Sequence, residues 1–397
     1  MKSTLMLYCQ HSVGVGHLIR SFGLAQALAE DWRVLFLNGG RMPAGIALPS
    51  GVEIIQLQPL GAGDDGNLIS HDESVNVEEA KLKRRQQILT CFDTFDPQVI
   101  VIELFPFGRK KFSDEILPLL HRAGARGRDG PLVLCSVRDV LVSRKDQELH
   151  DDRAAELINR HFHGVLVHSD PNFARLEQTF HPKQTLKVPV HYTGFVARER
   201  FRHVPQARER RALVSSGGGL TGPALFVAAL EAHRILWREQ ELPMTLVAGP
   251  FLGEEDWRGL QAASSRLPGF TLLRTVPDVG VAMEQVSASA SRCGYNTAMD
   301  ILFSGVPALV VPFGEGHENE QMTRARRMES LGLLRVLDPA RLDGETLANG
   351  IRALETFRPD LAQIQLGGAA NTAEWINRHF ALREGSSLEA RIPSLSR

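Results

Sequence analysis

Between the apolar run Leu5–Cys9 and an amphipathic stretch from His17 to Ala29 lies a glycine turn that leads into a histidine and an arginine, Gly14-Val15-Gly16-His17-Leu18-Ile19-Arg20. Glycines at a strand-to-helix turn let the backbone bend sharply and approach a ligand, and the free amides that open the helix favour an anion. A phosphate or a developing oxyanion fits there. His17, on the ligand side of the turn, reads as a general base or as a capping histidine. Arg20, one helical turn later, would pair a phosphate or a buried carboxylate. A dinucleotide fingerprint is disfavoured, because Ile19 stands at the third glycine position and the second strand ends in Asn38-Gly39-Gly40 rather than an acid. A second chemical group follows the apolar run Val99-Ile100-Val101-Ile102. Glu103 comes directly after it, at the expected carboxyl edge of a sheet, where it would orient His17, bind a substrate hydroxyl or cap the next helix.

The second half of the chain repeats the theme. Ser215-Ser216-Gly217-Gly218-Gly219 again joins an apolar strand to a helix, and successive glycines flanked by hydroxyls make an amide nest suited to a diphosphate. Further on, Arg292-Cys293-Gly294-Tyr295-Asn296-Thr297-Ala298-Met299-Asp300 reads as a turn entering a helix, Gly305 to Phe313 as a strand, and Glu318 to Gln321 as a polar loop. With the helix opened by Gly294 and Thr297, Asp300 falls in its first turn, facing the strand ends, where it would accept ribose hydroxyls or partner the helix dipole. Glu320 and Gln321 would hold sugar hydroxyls.

These groups need elements to carry them. Short, near-continuous apolar runs alternate with helical segments through both halves, the pattern of parallel sheets covered on both faces. The expected fold class is α/β, with two Rossmann-like, doubly wound parallel-sheet domains and a cleft between the carboxyl ends of their strands. The expected boundaries are an N-terminal domain over 1–197, an Arg-rich linker over 198–211, a C-terminal domain over 212–384 and a disordered tail over 385–397.

With 397 residues, 43% hydrophobic and 23% charged, the chain is large enough for two cores and too apolar for disorder. A net charge of -1 leaves no global field to recruit nucleic acid, so nucleic acid is not expected as a partner. The four cysteines show no CxxC or ligand spacing, and Met1–Gln10 carries no cleavable apolar segment, so a reduced, cytoplasmic protein is expected. No metal site is expected; His161 and His163 are too close in sequence to share a helix face.

The segment from Arg292 to Ala325 resembles the donor-binding region of family 28 type glycosyltransferases, through Gly294, Thr297, Gly305-Val306-Pro307 and Pro312-Phe313. The resemblance implies the GT-B arrangement of two Rossmann-like domains. It also implies that Asp300 stands for a ribose-binding Glu, Gln321 for a Gln on the donor sugar, Ser216–Gly219 for the diphosphate site and Val276 for a position near the base. The chain departs from that family where Arg324 replaces an Asn. The first turn, with Gly14, Gly16, His17 and Arg20, is similar to that of the UDP-sugar hydrolase of pseudaminic acid biosynthesis, whose turn histidine is taken as the base. Phe105–Arg109 is similar to a group of predicted bacterial glycosyltransferases.

The resemblance implies a metal-independent, inverting glycosyltransferase. It would use a nucleotide diphosphate sugar, UDP-linked, as co-substrate, with no cofactor. His17 and Glu103 would be catalytic, and Gly14, Gly16, Arg20, Ser216, Gly217, Gly218, Gly219, Val276, Gly294, Asn296, Thr297, Asp300, Glu320 and Gln321 would bind the donor. The acceptor, a small molecule, glycan or lipid-linked group, would find room along Gly61–Val77 and the following helix with Lys81, Lys83, Arg84 and Arg85. A hydrolase of the same fold, an epimerase and a non-catalytic nucleotide-sugar-binding protein are the alternatives. Phe105, Phe107 and Phe112 beside Arg109, Lys110 and Lys111 would give weak peripheral contact with the inner face of a membrane, or else form a buried loop.

Overall fold

A computed structural model describes residues 2–11, 16–43, 46–63, 66–139, 146–196, 207–218, 223–313 and 320–391, without the side chains of 384 and 386–391. The chain divides into two compact units, Met1–Arg198 with Gln365–Arg397, and Glu199–Ile364.

The first unit runs β1 (Thr4–Cys9), α1 (Gly16–Leu28), β2 (Arg33–Asn38), β3 (Val52–Gln56), β4 (Leu60–Ala62), β5 (Leu68–Ser70), α2 (Val77–Phe95) and β6 (Val99–Glu103). It continues through α3 (Ser113–Ala125), β7 (Leu132–Arg138), α4 (Gln147–His161), β8 (Gly164–His168) and β9 (Val190–Tyr192). Its main sheet has the order β3-β2-β1-β6-β7-β8-β9, parallel throughout. Every residue of β1, β6 and β8 is buried, as expected for strands with helices on both faces. Met6, Ile100 and Val133 pack on one face, and Leu5, Leu7 and Val101 on the other. The strand order reverses between β1 and β6, and ligands of such sheets bind at that reversal, beyond the carboxyl ends of the strands.

The second unit runs β10 (Glu209–Ser215), α5 (Pro223–Gln240), β11 (Met244–Val247), α6 (Glu254–Ser264), β12 (Phe270–Leu273), α7 (Val279–Gln285) and β13 (Val286–Ser291). Then come α8 (Tyr295–Ser304), β14 (Ala308–Val310), α9 (Glu320–Ser330), β15 (Arg335–Val336) and α10 (Gly344–Ala353). The sheet order is β12-β11-β10-β13-β14-β15, again parallel, with the reversal between β10 and β13.

Three expected boundaries shift. Glu209–Arg211, assigned to the linker, begin β10, because at the amino edge of a sheet their charged side chains reach solvent, where Arg211 Nε meets Glu209 Oε1 at 2.9 Å. The C-terminal domain ends at Ile364 rather than 384. The last helix, α11 (Gly368–Arg391), belongs to the first unit. It is tied there by Gln365 N to Asp170 Oδ2 (2.9 Å), Asn371 Nδ2 to Thr193 O (2.8 Å) and Trp32 Nε1 to Asn377 Oδ1 (2.7 Å). The Trp375 side chain packs close over Gly164, 3.0 Å from where a Cβ would stand. The helix also runs through 385–391, the start of the tail expected to be disordered. Residues 392–397 lie outside the described residues.

The polar segment read as acceptor room is built differently. Leu60–Ala62 and Leu68–Ser70 form an antiparallel hairpin. Arg84 is fully buried rather than presented to a ligand, because it falls on the inward stripe of α2 with Ala80 and Ile88. Lys81 and Lys83 pair with Glu78 and Glu79 on the helix surface. No described helix is long and apolar enough to cross a membrane.

Candidate active site

β1 and β6 are neighbours at the reversal of the first sheet, with Tyr8 opposite Ile102, so the residues leaving their carboxyl ends meet. Glu103, the last residue of β6, is fully buried. Its Oε1 receives His17 Nδ1 and Arg20 Nη2, both at 2.6 Å, and its Oε2 receives Arg109 Nη2 at 3.3 Å. Arg109 reaches back because the chain turns tightly after β6: Leu104 takes a left-handed φ of 64°, and Gly108 N donates to Leu104 O at 2.8 Å. Phe105 and Phe107 anchor the turn in the core, Phe107 edge-on to Phe180.

Burial alone would raise the Glu103 carboxyl. The attraction of His17, Arg109 and Arg20 outweighs it and holds the group well below the usual carboxylate range. Glu103 is therefore ionised and can only accept, so the neutral imidazole carries its proton on Nδ1 and keeps its lone pair on Nε2. Burial lowers His17; Glu103 pulls it back up, Arg109 and Arg20 push it down again, and the net result lies below its ordinary value. His17 keeps 18% of its side chain exposed. The arrangement can take a proton from a hydroxyl, amine or water.

In the second unit, Gly217 and Gly218 are exposed at the end of β10, beside the reversal at β13. Gly217 has a φ of 71°, a conformation side chains rarely adopt, and a Cβ there would lie 3.9 Å from Thr297 Oγ1. The glycine turn thus meets the start of α8, whose first residue is preceded by Gly294 with no side-chain cap. Gly217 N donates to Ser215 Oγ at 3.3 Å, and the amide end of α8 beside the turn suits an anion. Asn296 and Asp300 are half-buried on α8, and Val276 is half-buried in the segment after β12.

Several expected site residues have other work. Arg20, assigned to the donor, is buried and bound to Glu103. Ser216 Oγ donates to Ala248 O at 2.6 Å, fastening the exit of β11. Asp300 lies in the second turn of α8, because the helix begins at Tyr295, two residues before Thr297. Glu320 pairs with Arg324, which is fully buried and also donates to Cys293 O at 3.3 Å. Gln321 Oε1 accepts from Cys293 N and Phe313 N, each at 3.1 Å, leaving only its amide N–H groups to donate elsewhere. Phe105, Phe107 and Phe112 are buried, so they offer nothing to a membrane. Gly14 and Gly219 lie outside the described residues; Gly16 opens α1. His163 Nδ1 accepts from Val133 N at 3.0 Å.

Sequence reasoning did not single out the buried residues that frame the first site. Gln10 donates to His11 O and Leu60 O, and Gly39 and Gly40 pack so closely on Gln10 and His11 that a Cβ on either would collide. The paired glycines after β2 were the available signal.

Residues 226–375 match the glycosyltransferase family 28 C-terminal domain, a stretch that covers much of the second unit and reaches into α11. The UDP-N-acetylglucosamine--N-acetylmuramyl-(pentapeptide) pyrophosphoryl-undecaprenol N-acetylglucosamine transferase of Thermotoga sp. (strain RQ2) is 30% identical over 80 residues, 20% of this chain and 23% of that protein. The chain therefore matches about a quarter of the length of that relative. Among solved structures, the glycotransferase of kitacinnamycin superposes with a TM-score of 0.61 at 17% identity, over 95% of this chain and 99% of that one. Acinetobacter baumannii MurG gives 0.58 at 16% identity, over 95% and 100%. With two Rossmann-like parallel-sheet units and these structural neighbours, the chain has the GT-B fold, and its second unit is similar to the family 28 C-terminal domain.

Proposed function

We propose that this chain is an inverting glycosyltransferase that moves a sugar from a UDP-linked donor to an acceptor hydroxyl or amine. The carrying observation is the 2.6 Å contact between His17 and an ionised, buried Glu103, which leaves Nε2 as a base at the reversal of the first sheet. In this reading Nε2 takes the acceptor proton as its oxygen or nitrogen bonds to the anomeric carbon. The bond from that carbon to the diphosphate breaks, and the charge on the departing diphosphate is met by the amide of Gly218 and the start of α8. That use of main-chain donors is the support for a metal-independent reaction. Attack opposite the leaving group inverts the anomeric centre. The transferase name of the Thermotoga relative supports a UDP-linked donor and a lipid-linked acceptor, and such an acceptor would bring the chain to a membrane. Any such contact would use residues other than Phe105, Phe107 and Phe112.

The test is a panel of nucleotide sugars without acceptor, scored by thermal shift and by release of free nucleotide. One donor should raise stability as RT ln(1 + [L]/Kd) with little release. Rapid release would make the chain a hydrolase using the same base on water, and no shift with any donor would overturn the donor-site reading. Gly217→Ala, strained by about 1–2 kcal/mol in the left-handed region, should shift the turn against the start of α8 and weaken UDP roughly tenfold by calorimetry.

A further inference from the structure

The chain occupies the two oxygens of Glu103 unequally. Oε1 takes His17 and Arg20 at 2.6 Å, while Oε2 takes only Arg109, at 3.3 Å. Arg20 is 1% exposed at its side chain, whereas Arg109 is 13% exposed, comparable with His17 at 18%. The two side chains that reach outward from this cluster are therefore an imidazole base and a guanidinium, held on opposite oxygens of one carboxylate.

Arg109 is barely used by the fold. A guanidinium has five N–H donors, and among the described residues this one makes a single long hydrogen bond, with its Nε buried and without a partner. Its backbone sits at φ 61°, pinned by Phe112 N donating to Arg109 O at 2.8 Å. An arginine held in a sparsely populated conformation for one weak ion pair points to a role outside the fold. Arg20 and Arg109 both face the carboxylate of Glu103, and His11, pushed down to about 4 chiefly by burial, is neutral at pH 7 beside them.

We propose that Arg109, beside His17, is an anion-binding site that takes a phosphate or carboxylate oxygen of the substrate through Nε and a terminal nitrogen. The proposal rests on His17 as the base and adds that the reacting group arrives tethered to an anion, held bidentate by the fork of Arg109. The anion belongs either to the acceptor or to the diphosphate of the donor.

The experiment titrates inorganic pyrophosphate into the full chain with isotopically labelled histidine, following the His17 imidazole by NMR, which separates this site from pyrophosphate bound at Gly217. The His17 signals should move in the wild type, with affinity falling about 10- to 100-fold in Arg109→Gln. Arg109→Lys, which keeps the charge without the fork, should lose several-fold and serves if the glutamine variant does not fold. UDP titrated into the same proteins locates the source. A matching loss in Arg109→Gln assigns the anion to the donor, and unchanged UDP binding assigns it to the acceptor. Unmoved His17 signals, or equal pyrophosphate affinity in all three proteins, would overturn the site. No turnover is read, so an inactive donor panel would leave this result standing, and the reverse.

Discussion

His17→Ala should lower glycosyl transfer by about 10²- to 10⁴-fold while leaving UDP binding within a factor of two or so, because in the proposed reaction His17 meets the acceptor's proton and not the nucleotide. The loss should appear in kcat. A histidine that merely capped α1 would instead cost stability, of the order of 1 kcal/mol, and leave the rate alone. The pH profile gives an independent reading. The folded imidazole titrates below its ordinary value of about 6.5, so the base is unprotonated above that pH and is lost only as pH falls further. The acid limb of kcat/KM should lie below pH 6.5. Glu103 is among the groups that raise His17, so Glu103→Gln removes a raising influence and should shift that limb to still lower pH on a reduced plateau. An acid limb at or above 6.5, or a His17→Ala enzyme with wild-type kcat, would remove His17 from the chemistry.

Much of that site is legible in the amino-acid sequence because its determinants are local. A glycine turn after the first strand and an acid at the end of the fourth strand of the main sheet each say which edge they occupy, and the strand order of such sheets brings those edges together. What Arg20 would bind was not legible. A basic residue one turn into a helix suits a phosphate or a carboxylate equally, and only the 2.6 Å approach of Glu103, 83 residues away, decides it. The docking of α11 was hidden for a similar reason. Its apolar residues Ala373, Trp375 and Ile376 call for burial, but nothing in their spacing names the unit that supplies it. Arg84 is the instructive miss. It stands in a run of cations that looks solvated, yet it is four residues after Ala80 and four before Ile88, the inward stripe of α2. Helical spacing was the better guide there than charge.

Arg84 carries the second large effect. Its Nε and Nη2 meet the two oxygens of Glu115 at 2.7 and 2.6 Å, and both side chains are all but fully buried. Tyr8 donates its hydroxyl to Glu115 Oε1 at 2.6 Å, and the remaining Arg84 N–H groups hold Gly39 O (2.6 Å), Gln58 O (2.8 Å) and Gln10 Oε1 (2.7 Å). Arg84→Met removes the cation and leaves a buried carboxylate with one neutral donor, which should cost about 3–5 kcal/mol. At roughly 2–4 °C per kcal/mol, the unfolding transition of the first unit should drop by about 6–20 °C. Glu115→Leu in the same chain removes the orphaned charge, so the double variant should recover most of that loss, and calorimetry on the four proteins of the cycle measures the coupling. Recovery of stability need not restore turnover. Arg84 also fixes Gln10 and Gly39, which pack the β1 edge that leads into the His17 turn, so the stable double variant should still show reduced kcat with UDP affinity intact. If it regains full activity, the network serves the core alone and the first site is positioned by Glu103 and its arginines without it.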